Sequence, residues 1–475
     1  MDNYEQDRLK KLQAIRDLGL DPYGGTIQDS IYADVAVNIA WASRKIEGGQ
    51  IVPRNNLTPQ NGPEMQGFGR IVLRREMGNL HFLTIRDHTG EVQVALNKKM
   101  LQEQGWKLAK QLDIGDQIYF SGRAAPTQKG EPTLWATHLS MGAKMTLPPP
   151  AKHEGMTDVE LRYRKRYVDL WSNPEAAKVL VLRSRIIQGI RETLYAHDFM
   201  EVETPMMQTI AGGAAAQPFV THHKALGIPL FLRIAPELYL KRLLVGGFPR
   251  IFEIGRNFRN EGISTKHNPE FTALELYQSY SDHEQMMQMV ETIVNGAVHE
   301  MDRKTPKTPW RRIKMTDLCK EFIVKGQVDG IFVEPSVQPA TIEQWHEYYE
   351  AHVEHTLIEP TFVTHLPASV VPLAKSDGHG NALAFEFVAG GMEIGCGYTE
   401  QTDPAVQLEV LMKQSGDDVQ KIDHDFIDAL KVGMPPSGGL GIGIDRLVMW
   451  MTGATSVRDV ILFPTMKPIT GEDNG

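Results

Sequence analysis

The segment from Arg256 to Glu275, RNFRNEGISTKHNPEFTALE, carries the side chains that a nucleotide site requires. Arg259 can pair bidentately with a phosphate or a carboxylate group. Glu261 can accept a hydrogen bond from an adenine amino group, and Phe271 can stack on the base. Together these side chains predict an ATP-binding site.

A second motif, GIGIDR at Gly441 to Arg446, precedes an apolar run from Leu447 to Met451. This order predicts a tight strand-to-helix junction that presents the arginine. The chain has neither the GxxxxGK[ST] pattern nor a GxGxxG pattern after a strand, so the P-loop and dinucleotide-binding folds are excluded. The predicted ATP site therefore has no glycine-rich phosphate loop.

The segment from Pro236 to Tyr277, PELYLKRLLVGGFPRIFEIGRNFRNEGISTKHNPEFTALELY, resembles the central block of class II lysyl-tRNA synthetases. The similarity extends from about Arg8 to Pro468, and it includes a proline-ended segment at Phe199 to Pro205 that resembles the dimerisation segment of class II enzymes. The resemblance implies ATP-dependent ligation of L-lysine to tRNA(Lys). The reaction would pass through a lysyl-adenylate and release AMP and diphosphate.

The resemblance also implies how the α-amino and carboxyl groups of lysine are bound. Glu237 and the backbone of Gly213 would hold the α-ammonium group, and Arg259 would hold the carboxylate. Such an assignment is chemically reasonable because buried cations require carboxylate partners.

The side-chain end of lysine has its own expected partners. Tyr277 and Glu400 would hold the ε-ammonium group, Tyr398 would lie beside the aliphatic stem, and Glu275 would support the pocket. An aspartate-specific relative would need a cation at this end, and none of these positions supplies one.

Two positions depart from the family pattern. Cys396 stands before Gly397 and Tyr398 where asparagine is usual, and Gln217 stands where arginine is common. Asparagine has two donors and an acceptor, whereas a thiol is a weak donor. We therefore expect one hydrogen bond fewer to the substrate. The amino-acid preference stays open between lysine and an analogue.

A metal site is expected in the segment FEFVAGGMEIG, where Glu386 and Glu393 are seven residues apart on a predicted hairpin. Carboxylates with phosphate and water oxygens suit Mg²⁺. The resemblance implies up to three Mg²⁺ ions with ATP. It also places His267 and Arg446 at the γ-phosphate end and makes Arg259 and Arg446 the catalytic residues.

The elements that position these residues follow from hydrophobic periodicity. Asp7 to Leu18 is predicted to be an amphipathic helix. Between Gly67 and Leu147, short alternating runs predict five strands with a helix at Met100 to Leu112, which is typical of an OB-fold barrel. The runs are Phe68 to Leu73, His81 to Asp87, Glu91 to Leu96, Gln117 to Arg123 and Leu134 to Ser140.

The predicted barrel is a candidate RNA-binding domain. The resemblance implies that Arg75, Phe82 and Gln93 contact the anticodon, with Phe82 stacked on a base. The alternative is that Phe82 packs in the barrel core, as strand aromatics usually do. The net charge of the chain is −9, but residues 51–150 carry 12 Lys and Arg against 8 Asp and Glu, and phosphate contact needs only a local basic surface.

The remaining pattern predicts an α+β protein with an antiparallel sheet flanked by helices in its second half. Helices are predicted at Asp158 to Asp169 and at Ala176 to Ala196, and a strand at Phe199 to Pro205. The expected divisions are an N-terminal helix and linker at 1–64, an OB-fold anticodon-binding domain at 65–147, a linker at 148–172 and a class II catalytic domain at 173–475.

Composition points to a cytoplasmic enzyme, and the resemblance implies a homodimer. The two cysteines, Cys319 and Cys396, form no CxxC motif, which argues against a disulfide framework and a cysteine-rich zinc site. The N-terminus has no apolar signal region, and no run reaches the length of a membrane span.

Two alternatives to tRNA charging remain. One is a paralogue that attaches lysine or an analogue to a protein; the predicted barrel argues against it. The other is a nucleic-acid-binding protein on an inactive scaffold. The presence of all the expected catalytic and metal-binding positions argues against that alternative.

Overall fold

The computed structural model describes residues 3–24, 44–47, 50–53, 56–149, 156–214, 216–299, 306–328, 339–415 and 422–468. The chain divides into two compact units, Met1–Lys178 and Val179–Gly475. Much of the predicted linker in residues 1–64, part of the linker at 148–172 and the final residues 469–475 lie outside the described residues.

The first unit is built around a β-barrel preceded by a helix. Its elements are α1 Asn3–Asp17, β1 Arg44–Glu47, β2 Gln50–Pro53, β3 Glu64–Met77, β4 Leu80–Asp87, β5 Gly90–Asn97, α2 Glu103–Ala109, β6 Gln117–Pro126, β7 Pro132–Ala143, α3 Val159–Arg164 and α4 Arg166–Ser172.

Strands β3 to β7 close into a barrel in the order β3-β4-β5-β7-β6. Side chains alternate between the two faces of each strand, so His81, Leu83 and Ile85 of β4 are buried, whereas Leu80 and Phe82 are only partly buried. The five predicted strands and the helix inserted after the third one are confirmed. The predicted N-terminal helix is also confirmed as α1, which buries Leu12 and Ile15.

The second unit combines one large sheet with a small one and flanking helices. Helix α5, Pro174–Ala196, begins in the first unit and ends in the second. The elements that follow it are β8 Met200–Glu201, β9 Met207–Gln208, β10 Val220–His223, β11 Ile228–Leu232, α6 Glu237–Val245, β12 Arg250–Phe258, β13 Glu270–Ser279, α7 His283–His299, β14 Arg311–Lys314, α8 Met315–Val328, α9 Ile342–Tyr348, β15 Thr361–Thr364, β16 Ala384–Ala389, β17 Met392–Thr399, α10 Pro404–Ser415, α11 His424–Gly433, β18 Ser437–Gly443, α12 Ile444–Thr452 and α13 Val457–Val460. A π-helical turn, Tyr349–Val353, and a 3₁₀ turn, Glu354–Thr356, continue α9.

The large sheet has eight strands in the order β14-β15-β16-β17-β18-β13-β12-β8. Neighbouring strands are antiparallel except at the two ends, where β14 pairs with β15 and β8 pairs with β12 in parallel. The strand expected at Phe199 to Pro205 is shorter than predicted, since only Met200 and Glu201 pair with β12. The predicted α+β class is confirmed.

The centre of this sheet positions the two sequence motifs. Strand β13 lies between β12 and β18, so the segment that begins at Arg256 and the GIGIDR segment are on adjacent strands. Leu274, Leu276, Leu440 and Ile442 from these strands are buried in the main hydrophobic core. The predicted strand-to-helix junction is confirmed, because β18 ends at Gly443 and α12 begins at Ile444.

Candidate active site

A cavity of about 370 Å³ opens between the central strands and the loop that joins β12 to β13. Most of the site residues expected from the sequence line it. They are Gly213, Glu237, Arg259, Glu261, His267, Phe271, Glu275, Tyr277, Glu393, Cys396, Tyr398 and Arg446. Glu386 and Glu400 are not part of the lining.

The β12–β13 hairpin brings the predicted nucleotide-binding side chains together. Arg259 directly follows β12, and Phe271 is the second residue of β13. The Arg259 guanidinium carbon lies 5.1 Å from the centre of the Phe271 ring. Within the described structure, Nε of Arg259 is buried and has no hydrogen-bond partner, so a ligand could satisfy it.

Arg446 lies in the first turn of α12, and its guanidinium is held by Glu393 and His267; one of the contacts is with Oε2 of Glu393 at 3.5 Å. Its Nη1 donates to the backbone carbonyl of Glu393 at 2.8 Å, and its Nη2 lies 2.8 Å from Nε2 of His267. Burial and the charge of Arg446 lower the pKa of His267, so the imidazole is neutral and Nε2 accepts. The Arg446 guanidinium is therefore held at this end of the cavity, with the His267 ring beside it.

Asp445 is a positioning residue that the sequence analysis did not single out. It is 3% exposed, its Oδ1 pairs with Arg183 at 2.6 Å, and its Oδ2 accepts from the backbone N–H of Thr272 at 3.0 Å. These contacts join α5, β13 and the start of α12. The aspartate in the GIGIDR motif was the available sequence signal, but its partner Arg183 is distant in the chain.

At the other end of the cavity, Glu237 occupies the first turn of α6. Its Oε1 accepts from the Tyr398 hydroxyl at 2.6 Å and from Nζ of Lys241 at 2.5 Å. The same Nζ lies 2.5 Å from Oε2 of Glu400. Lys241 was not expected from the sequence, although its spacing of four residues from Glu237 on a helix places the two side chains side by side.

Glu275 lines the cavity between these two ends. Burial and the nearby charge of Glu237 raise the pKa of its carboxyl to about 8. The Tyr277 hydroxyl donates to Oε2 of Glu275 at 3.2 Å. A carboxyl group with such a pKa gains a proton in an empty cavity at neutral pH and can lose it beside an ammonium group.

Two further positions shape the pocket wall. Gly213 has φ +89°, a conformation that favours glycine, and a side chain there would approach Cβ of Ala235 at 3.2 Å and Cβ of Glu237 at 3.3 Å. Cys396 lies on β17, and burial raises the pKa of its thiol well above the usual range. The cysteine therefore presents a neutral thiol to the cavity.

The expected metal carboxylates lie on the antiparallel hairpin of β16 and β17. The backbone N–H of Glu393 donates to Oε1 of Glu354 at 3.1 Å, and Nε2 of His346 lies 3.9 Å from Oε1 of Glu386. Burial and the charge of Glu386 raise the pKa of Glu393, which indicates mutual repulsion that a cation would relieve. The described residues contain no cluster of three metal-ligating side chains, so phosphates and water would supply the other ligands.

Glu354, His346 and the fully buried Tyr349 come from a segment, 310–360, in which the sequence showed no motif. The π-helical turn after α9 carries Tyr349 and is followed directly by Glu354. No sequence signal would have connected these residues to the hairpin, because their contact depends on the packing of α9 against the sheet.

The expected anticodon residues lie together on the barrel. Nη2 of Arg75 donates to Oε1 of Gln93 at 2.8 Å, and the Arg75 guanidinium carbon lies 5.9 Å from the centre of the Phe82 ring. Phe82 is partly exposed and makes an edge contact with Trp135, with ring centres 6.3 Å apart. The ring is therefore on the outer face of β4 and not in the barrel core.

Comparisons with known families agree with this arrangement. The protein-family model described as "tRNA synthetases class II (D, K and N)" matches residues 158–467. The family model described as "OB-fold nucleic acid binding domain" matches residues 68–141. The fold and the site thus define a class II tRNA synthetase that carries an OB-fold domain.

The similar curated proteins narrow this class. The chain is 44% identical to the lysine–tRNA ligase of Carboxydothermus hydrogenoformans, with 97% of each chain covered. It is 43% identical to the lysine–tRNA ligase of Syntrophomonas wolfei, and the alignment covers 98% of this chain and 97% of that relative. It is 40% identical to the lysine–tRNA ligase of Latilactobacillus sakei, with 97% of this chain and 95% of that relative covered. The chain belongs to the lysine–tRNA ligase family.

Proposed function

We propose that this enzyme joins L-lysine to tRNA(Lys) through a lysyl-adenylate. The proposal rests on one observation: Arg259, Phe271 and Arg446 line the same cavity as Glu237 and Glu275. The first group suits ATP and the second suits a ligand with ammonium groups. We also propose the domain divisions expected from the sequence: a helix and linker at 1–64, an anticodon-binding domain at 65–147, a linker at 148–172 and a catalytic domain at 173–475.

The proposed mechanism needs no covalent enzyme intermediate. The lysine carboxylate attacks the α-phosphorus of ATP, and diphosphate leaves with the electrons of the broken P–O bond. The terminal ribose hydroxyl of tRNA then attacks the adenylate carbonyl, and AMP leaves. Arg259 binds the carboxylate and the α-phosphate, and Arg446 binds the γ-phosphate end, where His267 lies beside it and orients its guanidinium. The reacting atoms are thereby aligned and the developing charge is stabilised.

The adenine and amino-acid subsites follow the same division. Glu261 accepts from the adenine amino group, and Phe271 stacks on the ring, next to Arg259. Glu237 with the Gly213 backbone binds the α-ammonium group. Tyr277, Tyr398 and Glu400 surround the lysine side chain, and Glu275 supports them.

Mg²⁺ fits the carboxylate pair of Glu386 and Glu393, as the raised pKa of Glu393 supports. When bound with ATP, the ion would neutralise phosphate charge. Glu354 orients the backbone of Glu393, and Arg446 binds the carbonyl of the same residue. These contacts hold the carboxylate at the edge of the cavity.

We propose that the barrel binds the anticodon through Arg75, Phe82 and Gln93. Their shared outer surface offers an aromatic ring for stacking and an arginine and an amide for polar contacts.

We also propose a homodimer that acts in the cytoplasm. Exposed apolar side chains near the expected dimerisation segment support the dimer: Tyr195 is 52% exposed, Met200 43% and Met206 46%. Among the described residues, no helix is long and apolar enough to cross a bilayer. Sedimentation equilibrium would test the dimer, and a monomer at micromolar concentration would contradict it.

The central experiment is ATP–diphosphate exchange with each of the twenty amino acids and with lysine analogues, with and without tRNA. We expect exchange with lysine alone and loss of roughly 100- to 1,000-fold in Arg259→Ala. Arg256→Ala, which removes a half-exposed side chain outside the cavity, is the matched control. Exchange with an analogue but not with lysine would contradict the substrate assignment, and normal exchange in Arg259→Ala would contradict the site.

A further inference from the structure

Lys241 connects the two carboxylates that are assigned to the two ammonium groups of the substrate. Its Nζ lies 2.5 Å from Oε1 of Glu237 and 2.5 Å from Oε2 of Glu400. The exposed fraction is 0% for Lys241 and 1% for Glu400. Burial opposes the charge of Lys241, but the two carboxylates outweigh it, so the pKa of Lys241 is raised and the side chain is a cation.

The three side chains come from two different elements. Helix α6 carries Glu237 and Lys241 four residues apart, which places them on one face. Glu400 directly follows β17, and its backbone N–H donates to the carbonyl of Ser437 at 2.8 Å. Lys241 therefore joins helix α6 to the end of strand β17, next to Glu237, which lines the cavity.

Lys241 engages one oxygen of each carboxylate. Oε1 of Glu237 accepts from Lys241 and from the Tyr398 hydroxyl, and neither contact uses Oε2. Oε1 of Glu400 is buried and has no hydrogen-bond partner among the described residues. A side chain at position 439 would collide with this oxygen and with the Tyr277 ring, so Gly439 leaves the space that they share. Each carboxylate thus keeps one oxygen for a ligand.

The charges are also matched to a diamino acid. Glu237, Glu275 and Glu400 supply three carboxylates, and Lys241 compensates for one of them. The two that remain equal the number of ammonium groups in lysine, whose carboxylate pairs with Arg259. An amino acid with a neutral side chain offers no second ammonium group, so one of these buried carboxyl groups would stay protonated and its charge-assisted contact with the ligand would be lost.

We propose that Lys241 is a specificity-determining positioning residue, which fixes the separation between Glu237 and Glu400 and so selects a diamino acid of matching length. It acts through the two carboxylates and touches no substrate atom. This inference rests on the roles proposed above for Glu237 and Glu400.

The test compares lysine with ornithine, which is one methylene shorter, in amino-acid-dependent ATP–diphosphate exchange. One methylene is worth roughly 10- to 200-fold in discrimination. We expect Lys241→Met and Lys241→Arg each to lower the lysine-to-ornithine ratio of kcat/KM at least tenfold, mainly through KM for lysine, with KM for ATP unchanged. The first variant removes the cation, and the second keeps the charge but changes the reach.

Arg242→Met is the matched control. Arg242 is the next residue of the same helix, but it pairs with Asp423 at 2.8 Å and Asp425 at 3.0 Å and does not line the cavity. Its loss should lower the midpoint of thermal unfolding and leave the lysine-to-ornithine ratio unchanged.

An unchanged ratio in a folded Lys241 variant overturns the proposal. An equal loss of activity with both amino acids also overturns it, because that is the result of a purely structural role. If Lys241→Met does not fold, Lys241→Arg decides the question. A wild-type enzyme without lysine-dependent exchange contradicts the proposed function itself, before any variant is compared.

Discussion

Arg446 and His267 are joined by a hydrogen bond of 2.8 Å between Nη2 of the arginine and Nε2 of the histidine. The lowered pKa of His267, caused by burial and by Arg446, keeps the ring neutral, so Nε2 accepts and Nδ1 carries the hydrogen. Nδ1 lies 2.9 Å from Oγ of Ser264, which accepts that hydrogen. The side chains of His267 and Ser264 thereby help to hold the Arg446 guanidinium in one orientation.

The first prediction concerns this contact. His267→Ala removes one acceptor of Arg446 and one polar group at the γ-phosphate end of the site. We expect KM for ATP to rise about tenfold, the value of one charge-assisted hydrogen bond, with KM for lysine unchanged. Steady-state ATP–diphosphate exchange measures both constants. His222→Ala, an exposed histidine of β10, is the control. A selective rise in KM for lysine would contradict the assignment.

The second prediction is a pH dependence of lysine binding. The pKa of Glu275 in the empty cavity is raised to about 8 by burial and by Glu237, with Tyr277 and Arg233 opposing the shift. An ammonium group beside the carboxyl favours its ionised form, so binding releases a proton. Below about pH 8, affinity for lysine should rise with pH, by at most about tenfold per pH unit.

Calorimetry in two buffers that differ in ionisation enthalpy measures the proton release directly. Glu275→Gln should remove it. Glu270→Gln, on the same strand but outside the cavity, should retain it. Affinity that falls over this pH range, or binding without proton release, would disprove the linkage.

The third prediction concerns the cysteine in the amino-acid pocket. Burial and the charge of Glu393 raise the pKa of the Cys396 thiol, so it is a neutral and weak donor. Cys396→Asn should add one hydrogen bond to the substrate and lower KM for lysine roughly two- to tenfold, equivalent to about 0.5–1.5 kcal/mol. Cys319→Ala, buried outside the cavity, should leave this KM unchanged. A higher KM for lysine in Cys396→Asn would mean that the pocket is shaped around the thiol.

The fourth prediction separates RNA binding from amino-acid activation. Phe82→Ala removes the ring on the outer face of β4, and we expect KM for tRNA to rise about tenfold, since stacking on one base is worth about 1–3 kcal/mol. Lysine-dependent ATP–diphosphate exchange without tRNA should not change. Phe82→Leu keeps apolar bulk beside Trp135 but no stacking surface, so it should behave like Phe82→Ala in aminoacylation. Normal KM for tRNA in both variants would show that the ring does not contact RNA.

Local sequence patterns determined much of this protein. The alternating runs between Gly67 and Leu147 predicted the five barrel strands, because one face of each strand must be buried. The GIGIDR motif predicted the junction of β18 and α12, since glycines followed by an apolar run allow a strand to turn directly into a helix. Arg259 and Phe271 were recognisable because their chemistry and their short spacing suit a nucleotide.

The tertiary structure decided the contacts that join distant parts of the chain. The parallel pairing at the sheet ends, the contact of Glu354 with Glu393 and the pairing of Arg183 with Asp445 all depend on packing between separate elements. The same is true of Lys241 and Glu400: periodicity placed Lys241 beside Glu237, but only the docking of α6 against the end of β17 brings in the second carboxylate. Side-chain spacing encodes neighbours within one element, whereas a buried ion pair between two elements forms only when folding has excluded water from both.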